Sequence, residues 1–272
     1  MSMGSTSIAI VSSSAERGRR NPAGRLALLA LASLVGIGGW AAATLVTLPS
    51  ARARRRVRRG AFRYWARAVC RLLGVRVEVQ GAVPAAPFYL VSNHLSYLDI
   101  VVFAAIMPAR FVAKREVRGW PVVGLLARAM ATIFIDRTAR RDALRVQDDL
   151  AEAVRAGDGV IVFAEATSTP GREVLPFRPA LLEWAARTVH PVHYASVAYR
   201  TGTGDPPAHL AVCWWGEMTF GRHLVDLCRL ERIEAQVRLG AETIADPDRK
   251  RLAERLYQAV SAQFTPVVME QG

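Results

Sequence analysis

His94 and Asp99, five positions apart in the run Val91-Ser92-Asn93-His94-Leu95-Ser96-Tyr97-Leu98-Asp99-Ile100, are the residues whose types and spacing suggest proton transfer. A carboxylate that accepts the imidazole Nδ1 proton fixes the tautomer and leaves Nε2 available as a base. Spacing alone leaves a second reading open, in which His94 is only a hydrogen-bonding residue near a helix start. No G-x-S-x-G elbow or cysteine lies nearby to act as nucleophile, so the group such a base activates belongs to a substrate, most simply an alcohol. A metal site is the weaker reading. His94 and Asp99 are not at i, i+4 spacing, and His190, His193, His209 and His223 form no ligand pattern with them. Cys70, Cys213 and Cys228 are widely spaced, which suggests neither a disulfide framework nor a zinc site and fits a reducing compartment.

For His94 to meet Asp99, the chain must pass from a strand into a helix between them. Residues 88–91 read as a buried strand, so Asn93 and His94 emerge at its C-terminal end, and a helix follows from about 97 with Ser96 as its N-cap. Further strands are expected at 75–79, 111–113, 132–136, 160–163, 192–198, 210–214 and 233–239. Helices are expected at about 97–107, 119–130, 140–156, 178–188 and 247–264, the last capped by Asp246. This alternation argues an α/β fold, a β-sheet covered by helices on both faces.

The 272 residues are 51% hydrophobic with a formal charge of +13, and the charge is unevenly placed. Residues 1–75 hold thirteen Arg against the single acid Glu16, which leaves a near-neutral body. A nucleic-acid-binding domain would spread its charge over the fold, so the pattern points to a membrane surface and away from nucleic acid. Residues 26–48 are 23 consecutive uncharged residues, long enough to cross a hydrocarbon core of ~30 Å. Gly36, Gly38 and Gly39 in mid-segment leave open a hairpin that dips into one leaflet, followed by a basic interfacial helix over 53–73. If the segment spans, Arg52, Arg54, Arg55, Arg56, Arg58 and Arg59 behind it place the body in the cytosol. Three units are thus expected: a disordered tail at 1–24, a membrane-anchoring segment at 25–73 and an α/β domain at 74–272.

The block Asn93-His94-Leu95-Ser96-Tyr97-Leu98-Asp99 resembles the N-H-x-x-x-x-D motif of the glycerolipid acyltransferases, the family of the 1-acylglycerol-3-phosphate acyltransferases. Further blocks follow in that family's order. Phe111-Val112-Ala113-Lys114, Gly119-Trp120-Pro121 and Phe134-Ile135-Asp136-Arg137 resemble its second block, and Val162-Phe163-Ala164-Glu165-Ala166-Thr167-Ser168 resembles its F-P-E-G-T block. Phe177-Arg178-Pro179 and Pro191-Val192 resemble the segments that trail it, so the likeness covers about residues 50–240. It implies a mixed β-sheet flanked by helices behind an N-terminal membrane-associated helical segment. It also implies a lysophospholipid O-acyltransferase in which His94, oriented by Asp99, is the general base on a lysolipid hydroxyl. That hydroxyl attacks acyl-CoA or acyl-carrier protein directly, with no metal or bound cofactor. The acceptor implied first is 1-acyl-sn-glycerol-3-phosphate, giving phosphatidic acid. Asn93, Lys114, Arg137, Glu165, Thr167 and Ser168 would bind substrate, Lys114 and Arg137 as phosphate contacts and Glu165 as organiser of the site by hydrogen bonds. The implied place is the inner membrane of a bacterium, with the catalytic domain on the cytosolic side.

The third block departs from the family's F-P-E-G-T-R at Ala164, Ala166 and Ser168. Where the glycine serves a positive φ, Ala166 would strain the turn. Ser168 for Arg removes a guanidinium from the acceptor site. Val212-Cys213-Trp214-Trp215-Gly216-Glu217-Met218-Thr219-Phe220 resembles a branch of the family that includes lyso-ornithine-lipid acyltransferases, whose acceptor is zwitterionic. As a strand, this segment would place one Trp in the core and leave the other for an acyl groove or the membrane interface. Lyso-ornithine lipid is the alternative acceptor. A catalytically impaired relative that binds membranes is the alternative of another class.

Overall fold

In the computed structural model, residues 21–136 and 140–268 are described. β-Branched and aromatic runs form β1 (Val75–Gln80), β2 (Phe88–Ser92), β3 (Ala109–Lys114), β4 (Ile133–Ile135), β5 (Gly159–Phe163), β6 (Val192–Thr201) and β7 (Ile233–Leu239). They join in one mixed sheet in the order β1-β7-β6-β2-β5-β3-β4, in which only β6 and β7 pair antiparallel. β2 and β5 lie side by side near the centre and are buried at every residue, whereas β1 and β7 alternate. Phe88 and Gly159 are register partners, and a Cβ at Gly159 would lie 2.3 Å from the Phe88 ring, so the two central strands pair in this register only with glycine there.

Helices cover both faces, as the alternation required. On one face, α2 (Ala51–Leu73), α3 (Leu98–Ile106) and α4 (Val123–Ala129) pack on Phe88, Leu90, Ile161 and Val197. On the other, α5 (Arg140–Arg155), α6 (Glu183–Arg187) and α9 (Arg249–Gln263) pack on Tyr89, Val91, Val160 and Val162. The remaining helices are α1 (Pro22–Val46), α7 (Ala208–Ala211) and α8 (Phe220–Leu227). Asn21 caps α1, its Oδ1 accepting from Ala23 N at 3.0 Å, with Pro22 at the first helical position.

α1 is long and apolar enough to cross a membrane by length and composition. It runs unbroken through Gly36, Gly38 and Gly39, and the chain reverses only at residues 47–50, after which α2 folds back along it. Gly36 has a packing reason, since a Cβ there would approach Trp65 Cδ1 to 3.2 Å. Trp65 Nε1 donates to Ser33 Oγ at 3.2 Å across the same contact. At its start, α1 is pinned to the body by Arg25, 8% exposed, whose Nη1 donates to the carbonyls of Cys228 at 2.9 Å and Leu230 at 2.7 Å.

Several expectations are corrected. Residues 210–214 are no strand: α7 closes at Ala211, and Val212 and Cys213 turn back onto it through bonds to the Ala208 carbonyl. A short apolar run carries no period that separates the two. The helix expected from 119 begins at Val123 after a 3-10 turn at Arg115–Gly119, and that expected at 178–188 divides into a 3-10 turn and α6. Asp248, not Asp246, caps α9, accepting from Lys250 N and Arg251 N. Tyr97 holds the N-cap position of α3, while Ser96 Oγ accepts from Leu98 N at 3.3 Å. Of the tail expected at 1–24, residues 1–20 lie outside the described residues and 22–24 form the first turn of α1.

Below β5, the Asp158 carboxylate is 2% exposed and holds Arg58, Arg59 and Arg110 at 2.6–2.7 Å. Burial alone would raise this carboxyl, but the three guanidinium groups outweigh it and hold it below its ordinary value. A depressed carboxyl stabilises the fold above its unfolded value, and the contribution is lost as pH falls through the folded one. Asp158→Asn is expected to lower the unfolding free energy at neutral pH by about 3–5 kcal/mol, because three cations lose their counterion. In urea titrations, the gap to the native chain should begin to narrow near the unfolded carboxyl value of about 4 and close only as pH falls through the lower folded one.

Candidate active site

The order β6-β2-β5 brings two loops and one strand together at the C-terminal ends of adjacent parallel strands, the edge of an α/β sheet where catalytic groups collect. His94 follows β2, Glu165 follows β5, and Tyr199 stands on β6. His94 Nδ1 lies 2.7 Å from Asp99 Oδ2. The same oxygen accepts from Leu95 N at 2.7 Å and Ser96 N at 3.1 Å, and Tyr199 donates its hydroxyl to Oδ1 at 2.7 Å. Asp99 has no exposed surface, whereas the His94 side chain is 19% exposed and its Nε2 has no protein partner among the described residues. The ring stacks on Phe163 at 4.1 Å and 11°. One nitrogen is therefore oriented, and the other faces outward, where an imidazole nitrogen can accept a proton.

Glu165 holds two backbone N–H groups of the neighbouring loops. It is 2% exposed, with Oε1 accepting from His94 N at 2.6 Å and Oε2 from Leu175 N at 2.9 Å. Burial pushes its carboxyl up to about 8, against the two backbone donors that lower it, and the nearby Asp99 charge adds to the rise. Thr169 N donates to the His94 carbonyl at 3.0 Å, so the backbone of His94 is held at both its N–H and its C=O.

The other expected residues divide. Asn93 was expected to touch substrate, but it is 1% exposed and both ends of its amide are taken by Val197 of β6, with Nδ2 to the carbonyl at 3.0 Å and Oδ1 from the N–H at 2.8 Å. It ties β2 to β6. Lys114 ends β3 in an exposed position on the same sheet edge. Arg137 lies outside the described residues. Thr167 is exposed, and Ser168 Oγ donates to the Trp214 carbonyl at 2.5 Å. Among the described residues, no three His, Cys, Asp or Glu side chains converge as a metal site.

Ala166 has φ of +63°, the left-handed region, where the family pattern has Gly. The double Trp lies in the loop between α7 and α8, not in a strand. Trp214 N donates to the Leu95 carbonyl at 2.8 Å, which carries this loop onto the His94 loop. Trp214 joins Tyr97, Trp120 and Phe220 in an aromatic cluster, and Tyr97 hydroxyl meets His223 Nδ1 at 2.9 Å. Sequence reasoning missed Tyr199, which carried no signal beyond its place in an apolar strand, and missed this cluster, which assembles from two stretches roughly a hundred positions apart.

Residues 74–200 match the family model described as Acyltransferase. The lyso-ornithine lipid O-acyltransferase of Brucella abortus is 34% identical over 73% of this chain and 79% of its own length. The 1-acyl-sn-glycerol-3-phosphate acyltransferase of Neisseria meningitidis is 29% identical over 72% of this chain and 77% of its own. Among solved structures, the 1-acyl-sn-glycerophosphate (LPA) acyltransferase PlsC of Thermotoga maritima superposes with a TM-score of 0.61, covering 89% of this chain and 97% of that one at 21% identity, and shares the fold.

Two outcomes follow from this geometry. Ala166→Gly should raise the unfolding free energy by about 1 kcal/mol, since glycine removes the penalty of a left-handed residue, and thermal or urea denaturation measures it. Tyr199→Phe strips Asp99 Oδ1 of its donor and should lower turnover by roughly tenfold with little change in Michaelis constant, as expected for a hydrogen bond to a buried carboxyl that orients the His94 ring.

Proposed function

The chain belongs to the acyltransferase family that includes lyso-ornithine lipid and 1-acyl-sn-glycerol-3-phosphate acyltransferases, and from that premise we propose a reaction, an acceptor and a membrane placement for it. The activity is O-acylation of a lysolipid. The observation that carries the mechanism is the His94–Asp99 pair with Nε2 facing outward. Nε2 removes the proton of the acceptor hydroxyl as its oxygen attacks the thioester carbonyl of acyl-CoA or acyl-carrier protein. The tetrahedral centre then collapses, the carbon–sulfur bond breaks, and the proton on Nε2 passes to the departing thiolate. No residue is acylated on the way. Asp99 stabilises the imidazolium formed between the two transfers.

Lyso-ornithine lipid is the acceptor that the site favours. Ser168 stands where the family pattern has Arg, and its hydroxyl is bonded to the Trp214 carbonyl, so this position offers no cation to a phosphate. The Brucella relative, 34% identical, carries that activity in its name. Acceptance of 1-acyl-sn-glycerol-3-phosphate is the second reading, supported by the exposed Lys114 at the sheet edge and by the Neisseria relative.

The protein is membrane-associated. Residues 25–73 serve as the anchor and 74–272 as the catalytic domain, on the cytosolic side of the inner membrane. α1 packs along α2 and touches α4 and α8, and Arg25 fastens its start to the body. These contacts favour a hairpin lying in one leaflet over a helix that leaves the body to cross the bilayer.

Purified protein given labelled acyl-CoA or acyl-carrier protein, with both lysolipids side by side, should yield ornithine lipid. His94→Ala should reduce turnover by about 10²–10⁴-fold. Phosphatidic acid as the sole product would instead select the second reading, and turnover unchanged by His94→Ala would remove the mechanism.

A further inference from the structure

Between β3 and β4 the chain turns out an apolar tip at Pro121, Val122 and Leu125, while Trp120 and the rest of α4 pack inward. Val122 is 49% exposed and Leu125 41%, and Pro121 beside them is exposed as well. The tip carries backbone strain. Val122 has φ 57° and ψ −57°, a conformation that a β-branched residue rarely adopts. Gly124 N donates to the Trp120 carbonyl at 2.9 Å, and a Cβ on Gly124 would lie 2.4 Å from the Arg118 carbonyl, so only glycine lets α4 press against the preceding turn. Exposed cations flank it in the chain: Lys114, Arg118 and Arg128, with Arg115 paired to Asp136 at 3.0 Å and Glu116 the one acid between residues 114 and 128. Arg128 Nη1 donates to the Arg118 carbonyl at 3.0 Å, which fixes one of these cations beside the tip.

Two further observations select a lipid bilayer as the occupant. α4 packs against α1, whose outward residues Leu28, Leu31, Leu34 and Val35 are 49–64% exposed, so the tip continues the apolar face of the membrane helix. Trp120 lies 6.2 Å from Trp214 and 5.5 Å from Phe220, and those rings lie 5.9 and 4.9 Å from Tyr97, three residues beyond His94. An aromatic surface thus runs from the tip toward the base. Apolar side chains ringed by Lys and Arg match the chemistry of an anionic bilayer surface.

We propose that residues 120–125 form a second membrane-inserting element beside α1, and that the acceptor lipid reaches His94 between the two, along Trp120, Trp214 and Tyr97. The path rests on the lysolipid acyltransferase reading, whereas insertion is measured without turnover. The natural cysteines are all buried, so a Val122→Cys variant takes a polarity-sensitive fluorophore at the tip. A Glu254→Cys variant on α9, over the opposite face of the sheet, is the control. On vesicles of phosphatidylcholine and phosphatidylglycerol, the label at 122 should shift to the blue and be quenched by lipids spin-labelled near the headgroup, and the label at 254 should do neither. A label at 122 that stays in water while the protein is vesicle-bound overturns the proposal. In the double variant Val122→Asp, Leu125→Asp, the Michaelis constant for vesicle-embedded lysolipid should rise at least roughly tenfold, with turnover of a water-soluble short-chain acceptor held within about twofold. Equal loss on both acceptors overturns the entry path. A quenched label at 122 on a chain that acylates no acceptor supports insertion and removes the enzymatic reading alone.

Discussion

A carboxylate with no exposed surface holds the reactive end of the sheet in place. Asp99 gathers the His94 ring, the Leu95 and Ser96 N–H groups and the Tyr199 hydroxyl, and so joins the β2 loop, the start of α3 and β6 at one point. The loop between β2 and α3 has no ladder of its own, and without these bonds its backbone donors would be buried and unpaired. Glu165 does the same from β5. Between them, His94 is fixed at its N–H, at one ring nitrogen and on one ring face, while Thr169 fixes its carbonyl and only Nε2 is left over. Such preorganisation removes the entropy of finding the reactive geometry from the chemical step. The two carboxylates divide the histidine between them, Glu165 taking its backbone N–H and Asp99 its ring nitrogen, and burial pushes the Glu165 carboxyl up to about 8.

What the sequence disclosed and what it hid follow one physical division. β1, β2, β5 and β7 were legible because alternation or a continuous buried run is a property of neighbouring residues. The His94–Asp99 pair was legible because a turn of five residues closes it. Tyr199 lies a hundred residues further on and was hidden, since nothing local distinguishes a tyrosine that donates to a buried aspartate from one that fills a core. Asn93 was misread for the same reason: its place beside His94 suggested substrate, but its amide reaches across to Val197. The apolar run at 210–214 was too short to show a period, and the structure resolves it as the end of α7 and a turn.

The altered third block shows how a departure from a pattern is read through contacts. Ala166 adopts the left-handed backbone that glycine would take without strain, so the chain keeps the turn and carries its penalty. Ser168 does more than subtract an arginine. Its hydroxyl reaches the Trp214 carbonyl and joins the Glu165 loop to the loop that also binds Leu95 through Trp214 N. A guanidinium at this position would have to displace that bond. The substitution is therefore built into the packing of the site, where it connects the Glu165 loop to the double tryptophan segment.

Membrane attachment and chemistry are coupled by the cost of moving a lipid. Drawing a lysolipid chain out of a bilayer costs about 0.8 kcal/mol per methylene, so an ordinary acyl chain demands more than roughly 10 kcal/mol, equivalent to about seven powers of ten in rate. No general base recovers that, because general acid–base catalysis contributes about two to four powers of ten. The base must come to the interface. Arg25, bonded to the Cys228 and Leu230 carbonyls, and Trp65, bonded to Ser33, prevent α1 from swinging away from the body. α1 and the loops that hold His94 thus move as one piece, and in the proposed placement the distance from bilayer to Nε2 is set by packing rather than by a tether.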